Sequence, residues 1–533
     1  MQTGTAAGGG LSTDARRLGE ALLAGKTAVV VVYNSLAVNR TQVLTLSIPA
    51  AVGGVKVTAA DGTAVASQLR KATLPSDIWP GVTADLPVEN ELLMWAAVPA
   101  LGLQTLFLTK SAAVEDDSHT TAAVEDNGPV VLENKALALV FARSGSLQQI
   151  QNKQAGIVAN LSESSMVWQS TSVANNYRFQ PAGLPQPLNE STLVYQTGPI
   201  VSSVTKRAGG SGNATVVQRW QLFHPPAGDD ENIAAAPVQL ALVDVSHAVL
   251  GPLPPNTEVS SRVFSTDHDQ TEPWAQNGEY WTDESGWFVR QRHFLPDKEN
   301  SSLTNLAANM VPVYGSAFAR RGSDVQLTVL SGHSHGCGGG QKEALLEMFL
   351  ARNPPGDDNS TVTSHFQWSL DRQKTIEPVR VASALALQQP LLAMYGAAAS
   401  RDAWLAAHAP SLAPLATAPP LPPAVHLLSL DRWNSSHILL RLQHLHELDT
   451  PGTQPATVDV GALLRGFGKL GAWEETTLNA IHPRTAKRAE RLVWGGGSGE
   501  AKDDGGFVGR GDGGGLVVTL SPLEIRTWVI ELL

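Results

Sequence analysis

The sequence of 533 residues predicts a mainly β protein built of stacked sheets. Three observations carry this. Apolar residues alternate in short runs, turn residues separate those runs, and helical periodicity is confined to the start of the chain. Many short strands with such punctuation indicate sandwiches rather than βαβ units.

The first element is the exception. Thr13 and Asp14 are cap residues, Leu18 and Leu22 stand at i and i+4, and Gly25 offers a stop. A helix is expected there. One helix cannot bury its apolar stripe alone, so it is expected to pack on something outside this chain. Val30, Val31, Val32 and Tyr33 then make a buried-strand run. Leu44, Leu46 and Ile48 alternate with Val43, Thr45 and Ser47, the period of a half-buried strand. Val238, Leu240, Leu242 and Val245 continue that style, as do Val325, Leu327 and Val329. Gly53-Gly54, Asp61-Gly62, Ser144-Gly145 and Ser285-Gly286 are the expected turns.

Three stretches read as linkers or loops. Residues 111–128 are acidic, with Ala112 to Asp116 echoed at Ala122 to Asp126. Residues 401–424 become rich in Pro and Ala from 409 onwards and are expected to be extended and poorly packed. Residues 495–515 are dominated by Gly and Asp and read as a disordered loop. The triplet Arg510-Gly511-Asp512 inside it is best explained by chance. The expected division is a helix in 1–26, a small sheet domain over 27–110, a linker over 111–128, a large sandwich over 129–400, a linker over 401–424 and a C-terminal β-domain over 425–533.

Net charge is -11, with 43% hydrophobic and 16% charged residues. Large cores can be buried, and a sequence-independent nucleic-acid binder, which needs a basic face, is excluded. The longest apolar stretches, such as Thr27 to Tyr33, fall far short of the ~20 residues of a membrane span. Cys337 is the single cysteine, so no intrachain disulfide forms.

Seven Asn-x-Ser/Thr acceptor sites begin at Asn39, Asn160, Asn189, Asn213, Asn300, Asn359 and Asn434. Roughly two or three are expected by chance in a chain of this composition. Residues 1–25 contain no apolar run of signal-peptide length. Together these lead to the expectation of a downstream part of a longer protein of the secretory pathway.

Candidate chemistry is sparse. His333, His335 and Cys337 stand two apart, which on an extended chain gives one face and a conceivable zinc site. The following Gly338, Gly339 and Gly340 favour a flexible loop instead. His444 and His446 before Glu447 read as a strand end. Asp267-His268-Asp269 and Asp357-Asp358 read as solvated loop acids, because strand neighbours point to opposite faces and cannot form a glycosidase pair by adjacency. Trp274, Tyr280, Trp281 and Trp287 suit either sugar stacking or, preferably, core filling. No nucleophile elbow, phosphate loop, dinucleotide fingerprint or His-Glu-x-x-His occurs.

An ordered series of segments resembles the C-terminal β-rich half of the lysosomal α-mannosidases, glycoside hydrolase family 38. It runs through Val31-Val-Tyr-Asn-Ser-Leu36, Glu91-Leu-Leu93 with Val98-Pro-Ala-Leu-Gly102, and Leu132-Glu-Asn134 with Ser144-Gly-Ser-Leu147. It continues through Tyr280-Trp-Thr-Asp283 with Gly286, Asn309-Met-Val-Pro-Val313 and Gln326-Leu-Thr-Val-Leu330. Val425-His-Leu-Leu-Ser-Leu430, Leu439-Leu-Arg-Leu442 with His444, Glu475-Thr-Thr-Leu478 and Leu523-Glu-Ile-Arg-Thr527 complete it.

The resemblance implies a mutarotase-like super-sandwich for the large middle domain and a C-terminal β-sandwich domain after it. It implies hydrolysis of terminal α-mannosyl residues of N-glycans in a lysosome, vacuole or secretory lumen. In the family a carboxylate nucleophile and a Zn2+ ion reside in an N-terminal α/β domain, whose motifs this sequence lacks. The chain alone is therefore expected to be catalytically silent. One substrate contact is carried over: Tyr177, in Tyr177-Arg-Phe179-Gln-Pro181, resembles the family's Tyr-x-Phe-x-Pro segment, while a local structural role for its hydroxyl is the other reading. A second family contact, an Arg after paired Asp, is replaced here by Ser360 after Asp357-Asp-Asn359. The expected partners are an α-mannoside glycan and a separately encoded catalytic domain. The reading from a different class is a stand-alone carbohydrate-binding or scaffold module.

Overall fold

The computed structural model describes residues 11–72, 88–111, 119–122, 128–171, 174, 179–209, 214–225, 238–267, 273–295, 309–340, 344–353, 360–484, 510–511 and 515–533. The chain is mainly β, with all strand pairings among these residues antiparallel.

The helix forms at Arg16–Leu23. Asp14 accepts from the Arg16 N–H at 3.1 Å, satisfying one of the free donors of the first turn. At the other end Gly25 adopts φ 69°, its N–H bonds Leu22 O, and the Lys26 N–H bonds Ala21 O. That pair of bonds is the Schellman stop, which requires the left-handed conformation glycine tolerates. The helix does not look outward for a partner. Leu18 and Leu22 are fully buried on the strands Thr27–Tyr33 and Arg40–Pro49, in a core shared with Val30, Val32, Leu46 and Ile48.

Thr27–Tyr33 lies at the centre of the first sheet, between Leu103–Ser111 and Leu392–Ala398. Residues 392–398, grouped with the large sandwich on sequence, thus return to the first sheet. The Pro/Ala-rich segment is mostly exposed but anchored at a few points. Ser411–Leu412 pairs with Leu103 and Gln104, and Leu415 and Leu421 join the core of the C-terminal domain. Within the acidic stretch, His119–Ala122 forms an edge strand beside Glu190–Thr197. The repeat around it lies mostly outside the described residues, as does most of the Gly/Asp-rich loop, of which Arg510 and Gly511 pair with Glu474 and Trp473.

The large sandwich has a ten-stranded sheet facing a six-stranded one, with a small four-stranded sheet beside them. Side chains alternate across each strand. Trp220, Trp368, Leu327 and Val329 of the larger sheet and Val259 and Val263 of the smaller one fill a single apolar core. Residues 238–241, expected to be extended, form a 3-10 turn, and the strand begins at Val243. A helix at Gln373–Gln388, not expected from the sequence, covers the outer face of the ten-stranded sheet through Ala384 and Leu387, which meet Leu330 and Leu242. The C-terminal domain is a five-stranded sheet packed on the two-stranded ladder of Ala456–Asp459 and Val517–Leu520.

Among the ion pairs sealed inside are those that join the small domain to the sandwich and one within the sandwich. Between the small domain and the sandwich, Glu91 binds Arg70 at 2.7 Å and Arg219 at 2.7 Å, and Arg70 reaches Gln221 at 2.6 Å. Inside the sandwich, Lys206 and Glu163 pair at 2.9 Å. Burial alone would raise Glu163, but Lys206 and the bonds from His247 and Ser261 outweigh it and hold its carboxyl down at about 2.

Candidate functional site

Tyr177 itself lies outside the described residues, but its flanks are placed. Strand Leu161–Gln169 ends just before it, and Phe179 follows it. The Thr171 N–H bonds Gln180 O at 2.8 Å and the Ala182 N–H bonds Gln169 O at 2.7 Å, so the two flanks are pinned to each other. Phe179 packs edge-on against Trp168 and Phe349, with centroids at 5.4 and 5.0 Å. This aromatic group sits on the outer face of the six-stranded sheet, because its neighbours Leu161 and Val167 face the core.

Register then brings the candidate segments together. Gln169 pairs with Thr257, and Thr257 pairs with Asn353. The segments that carry Tyr177 and Asp357-Asp358-Asn359 therefore leave the same end of the sheet. Their strands are two spacings apart, about 10 Å. Asp357, Asp358 and Asn359 are outside the described residues, and Ser360 is exposed. The His333–Cys337 segment arrives at the same end, since Cys337 pairs with Met348. His335–Gly339 is a strand rather than the flexible loop its glycines suggested. Gly339 is needed there because an added Cβ would meet Leu345 O at 2.5 Å and the Tyr280 ring at 3.0 Å.

The polar groups at this end are mostly satisfied internally. Glu258 accepts from Arg352 at 2.7 Å and from Ser170 at 2.5 Å. Glu347 accepts from Arg262 at 2.6 Å, from Ser260 at 2.5 Å and from the Trp168 indole at 2.8 Å. Neither carboxylate is free to act as an acid or base. The His335 ring bonds Phe349 O at 2.8 Å through Nδ1, and burial pushes its pKa down to about 4. It is a neutral imidazole that donates to a carbonyl. Cys337 is fully buried, and burial pushes its thiol up to about 12, so it is unreactive. Among the described residues no three His, Cys, Asp or Glu side chains are grouped to hold a metal ion. Among the described residues, the ionisable groups at this end are held in structural bonds.

The other candidates disperse. His444 is fully buried and bonds Gln454 O at 3.0 Å, while His446 bonds Pro378 O at 2.8 Å, which is structural use. Asp267 is tied to Arg321, Trp274 and Asn160, and His268 and Asp269 lie outside the described residues. The aromatic cluster splits. Trp274 and Tyr280 are core, whereas Trp281 is half-buried and Trp287 is exposed. Of the acceptor asparagines, Asn39, Asn160, Asn189 and Asn434 are exposed, and Asn213, Asn300 and Asn359 lie outside the described residues.

No protein-family profile matches the chain. The lysosomal α-mannosidase of Dictyostelium discoideum is 23% identical over 563 aligned positions, covering 96% of this chain and 51% of that protein. The human lysosomal α-mannosidase is 24% identical over 90% of this chain and 47% of its own length. The chain is a homologue of the α-mannosidases. The epididymis-specific α-mannosidase of Homo sapiens is also 24% identical, over 94% of this chain. This α-mannosidase homologue spans about half the length of the curated relatives it matches. Its fold agrees with that of an α-mannosidase from Enterococcus faecalis V583, at a TM-score of 0.56 and 13% identity over 94% of this chain and 56% of that one. Two features carry no clear signal in the sequence: the helix at Gln373–Gln388 and the cleft beside it.

Proposed function

We propose that this α-mannosidase homologue is the C-terminal β-scaffold of a lysosomal-type enzyme of glycoside hydrolase family 38. Its reaction is hydrolysis of terminal α-mannosyl residues of N-glycans, and its place is a lysosome or vacuole. The observation that carries the reading is similarity to lysosomal α-mannosidases along 90% of the chain and more. The convergence of three candidate segments at one end of the six-stranded sheet supports it. In this reading the nucleophile and the zinc belong to a separate α/β domain, and the chain alone is silent. The chain's own contribution in this reading is positioning. Tyr177 donates or accepts a hydrogen bond at a mannosyl hydroxyl. All seven acceptor asparagines are proposed glycosylation sites, and Asn39, Asn160, Asn189 and Asn434 are exposed.

The interior suits a mildly acidic lumen. Glu163 stays ionised down to about 2, and burial keeps His335 and His426 neutral down to about 4. The test joins this chain to the catalytic half of a lysosomal α-mannosidase and compares Tyr177→Phe with the parent. A raised KM for a mannoside with an unchanged fold is expected. Unchanged kinetics overturn the role of Tyr177, and an inactive parent overturns the scaffold reading.

A further inference from the structure

The outer face of the ten-stranded sheet carries a second place where chemistry collects. Its location follows from alternation along Ser316–Arg321. Ala317 and Ala319 face the core, so Phe318 and Arg320 face outward. Trp281 pairs directly with Phe318 across the strands, and the two rings lie nearly parallel, at 5° and 5.4 Å. The Arg320 guanidinium lies over both, 4.4 Å from the Trp281 centroid and 5.0 Å from that of Phe318.

Three parts of the chain close around this platform. The helix Gln373–Gln388 brings Glu377 and Arg380. The loop after strand His437–His444 brings Glu447 and Asp449. Together they leave a cleft of about 250 Å³. That is a little below the ~300–1,000 Å³ of drug-sized pockets and suits one small ring. The cleft lies on the opposite side of the sandwich from the Trp168–Phe179 group.

The floor is built and internally satisfied. Arg380 bonds Glu377 at 3.0 Å, Glu447 at 3.2 Å and Ser316 at 2.8 Å. Glu447 also accepts from the Val289 N–H at 3.1 Å. Glu377 takes further bonds from Gln326 at 2.9 Å and Arg320 at 3.5 Å. With these pairs neutralised, what faces the cleft is the half-buried indole of Trp281, the exposed amide of Gln291, the exposed carboxylate of Asp449 and one side of Arg320.

This set selects a ligand class. Two arginines against three carboxylates leave no positive excess for a phosphate or polyanion. The aromatic surface is small and fringed by polar groups, which disfavours a purely apolar ligand. A sugar ring meets every demand. Its C–H groups can rest against the part of the indole that Phe318 and Arg320 leave exposed, and neighbouring hydroxyls can donate to a carboxylate while accepting from a guanidinium or amide. We propose that this cleft is a carbohydrate-binding site for a neutral sugar ring of an oligosaccharide, separate from the end of the molecule that carries Tyr177. The proposal does not depend on the scaffold reading above, because its residues lie on the outer face of the other sheet.

The test is titration of the full chain, followed by intrinsic tryptophan fluorescence and by ligand-observed NMR. The probes are methyl α-D-mannoside, a manno-oligosaccharide, N,N′-diacetylchitobiose and cellobiose. Saturable binding of at least one probe is expected. Trp281→Ala and Asp449→Asn should each weaken it about tenfold or more. Asp449 is exposed, so Asp449→Asn keeps the test decisive if Trp281→Ala fails to fold. No saturable binding of any probe overturns the proposal, as does binding that Asp449→Asn leaves intact. Binding lost in Tyr177→Phe but retained in the cleft variants assigns the sugar to the other end and also overturns it.

Discussion

The two outer faces of the large sandwich use the same three ingredients to opposite ends. On the six-stranded side, Trp168 is fully buried, Arg262 lies 5.4 Å over its ring, and Glu347 binds both. On the ten-stranded side, Trp281 is half-buried, Arg320 lies 4.4 Å over its ring, and Glu447 closes the floor through Arg380. The first group sits on interior strands of its sheet, flanked on both sides by paired neighbours, and is sealed. The second sits near the sheet's edge, where a helix and a domain meet without filling the space between them. Position in the sheet, not composition, decides which group becomes structural and which stays open to a ligand.

The sharpest way to break this contrast is Glu347→Ala. It strands the Arg262 guanidinium and the Trp168 N–H in a dry site. Loss of one partner of a buried ion pair costs about 3–5 kcal/mol. A fall in the midpoint of urea denaturation reads it. A change no larger than that of a surface substitution would mean the sealed face is wetter than described.

Acid titration separates the sealed interior of the sandwich from the open face by sign. Glu163, held down at about 2, contributes stability that is present above the ordinary carboxylate value and is lost as pH falls through its own. Glu447 behaves oppositely. Burial raises its pKa, beyond what the Val289 N–H and Arg380 take back. Its contribution is present below the ordinary value of 4.5 and is lost as pH rises through the raised one. Glu447→Gln should therefore flatten the pH dependence of stability between neutrality and 4.5, measured by denaturation at a series of pH values. Glu163→Gln should weaken the protein at every pH above 4.5. The same response from both variants would erase the distinction.

Smaller effects sharpen the open face. Trp281→Ala removes a half-buried ring and should cost about 1–2 kcal/mol, less than the 3–5 of a fully buried tryptophan. Asp449→Asn, on an exposed loop, should stay within about 0.5 kcal/mol. Both are read by the same denaturation curves, so a loss of sugar binding in Asp449→Asn cannot be charged to unfolding.

Local rules made much of the scaffold legible. Gly53, Gly62, Gly145 and Gly286, chosen as turns from their neighbours, have φ of 73, 90, 92 and 71°. Leu44, Leu46 and Ile48 face inward as their alternation requires. The helix at 373–388 was hidden because Pro378 reads as a break. It stands because Ile376 and Ala384 are buried on its inner face. The 3-10 turn at 238–241 was hidden for the reverse reason, since four mostly apolar residues before a strand imitate its continuation. The packing of Leu415 and Leu421 was equally invisible, because a Pro/Ala-rich composition does not say which of its few large side chains finds a core. The cleft could not be read at all. Trp281, Arg320, Arg380 and Asp449 come from four distant places in the chain, and only Trp281 carried a hint.

The scaffold reading is tested most directly by the hydrolysis of p-nitrophenyl α-D-mannoside. The purified chain, supplied with zinc, is compared with the same chain co-expressed with the catalytic half of a lysosomal α-mannosidase. Nitrophenol release at background from the chain alone, and well above background from the pair, is the predicted result. Turnover by the chain alone at the rate of full-length relatives would contradict it.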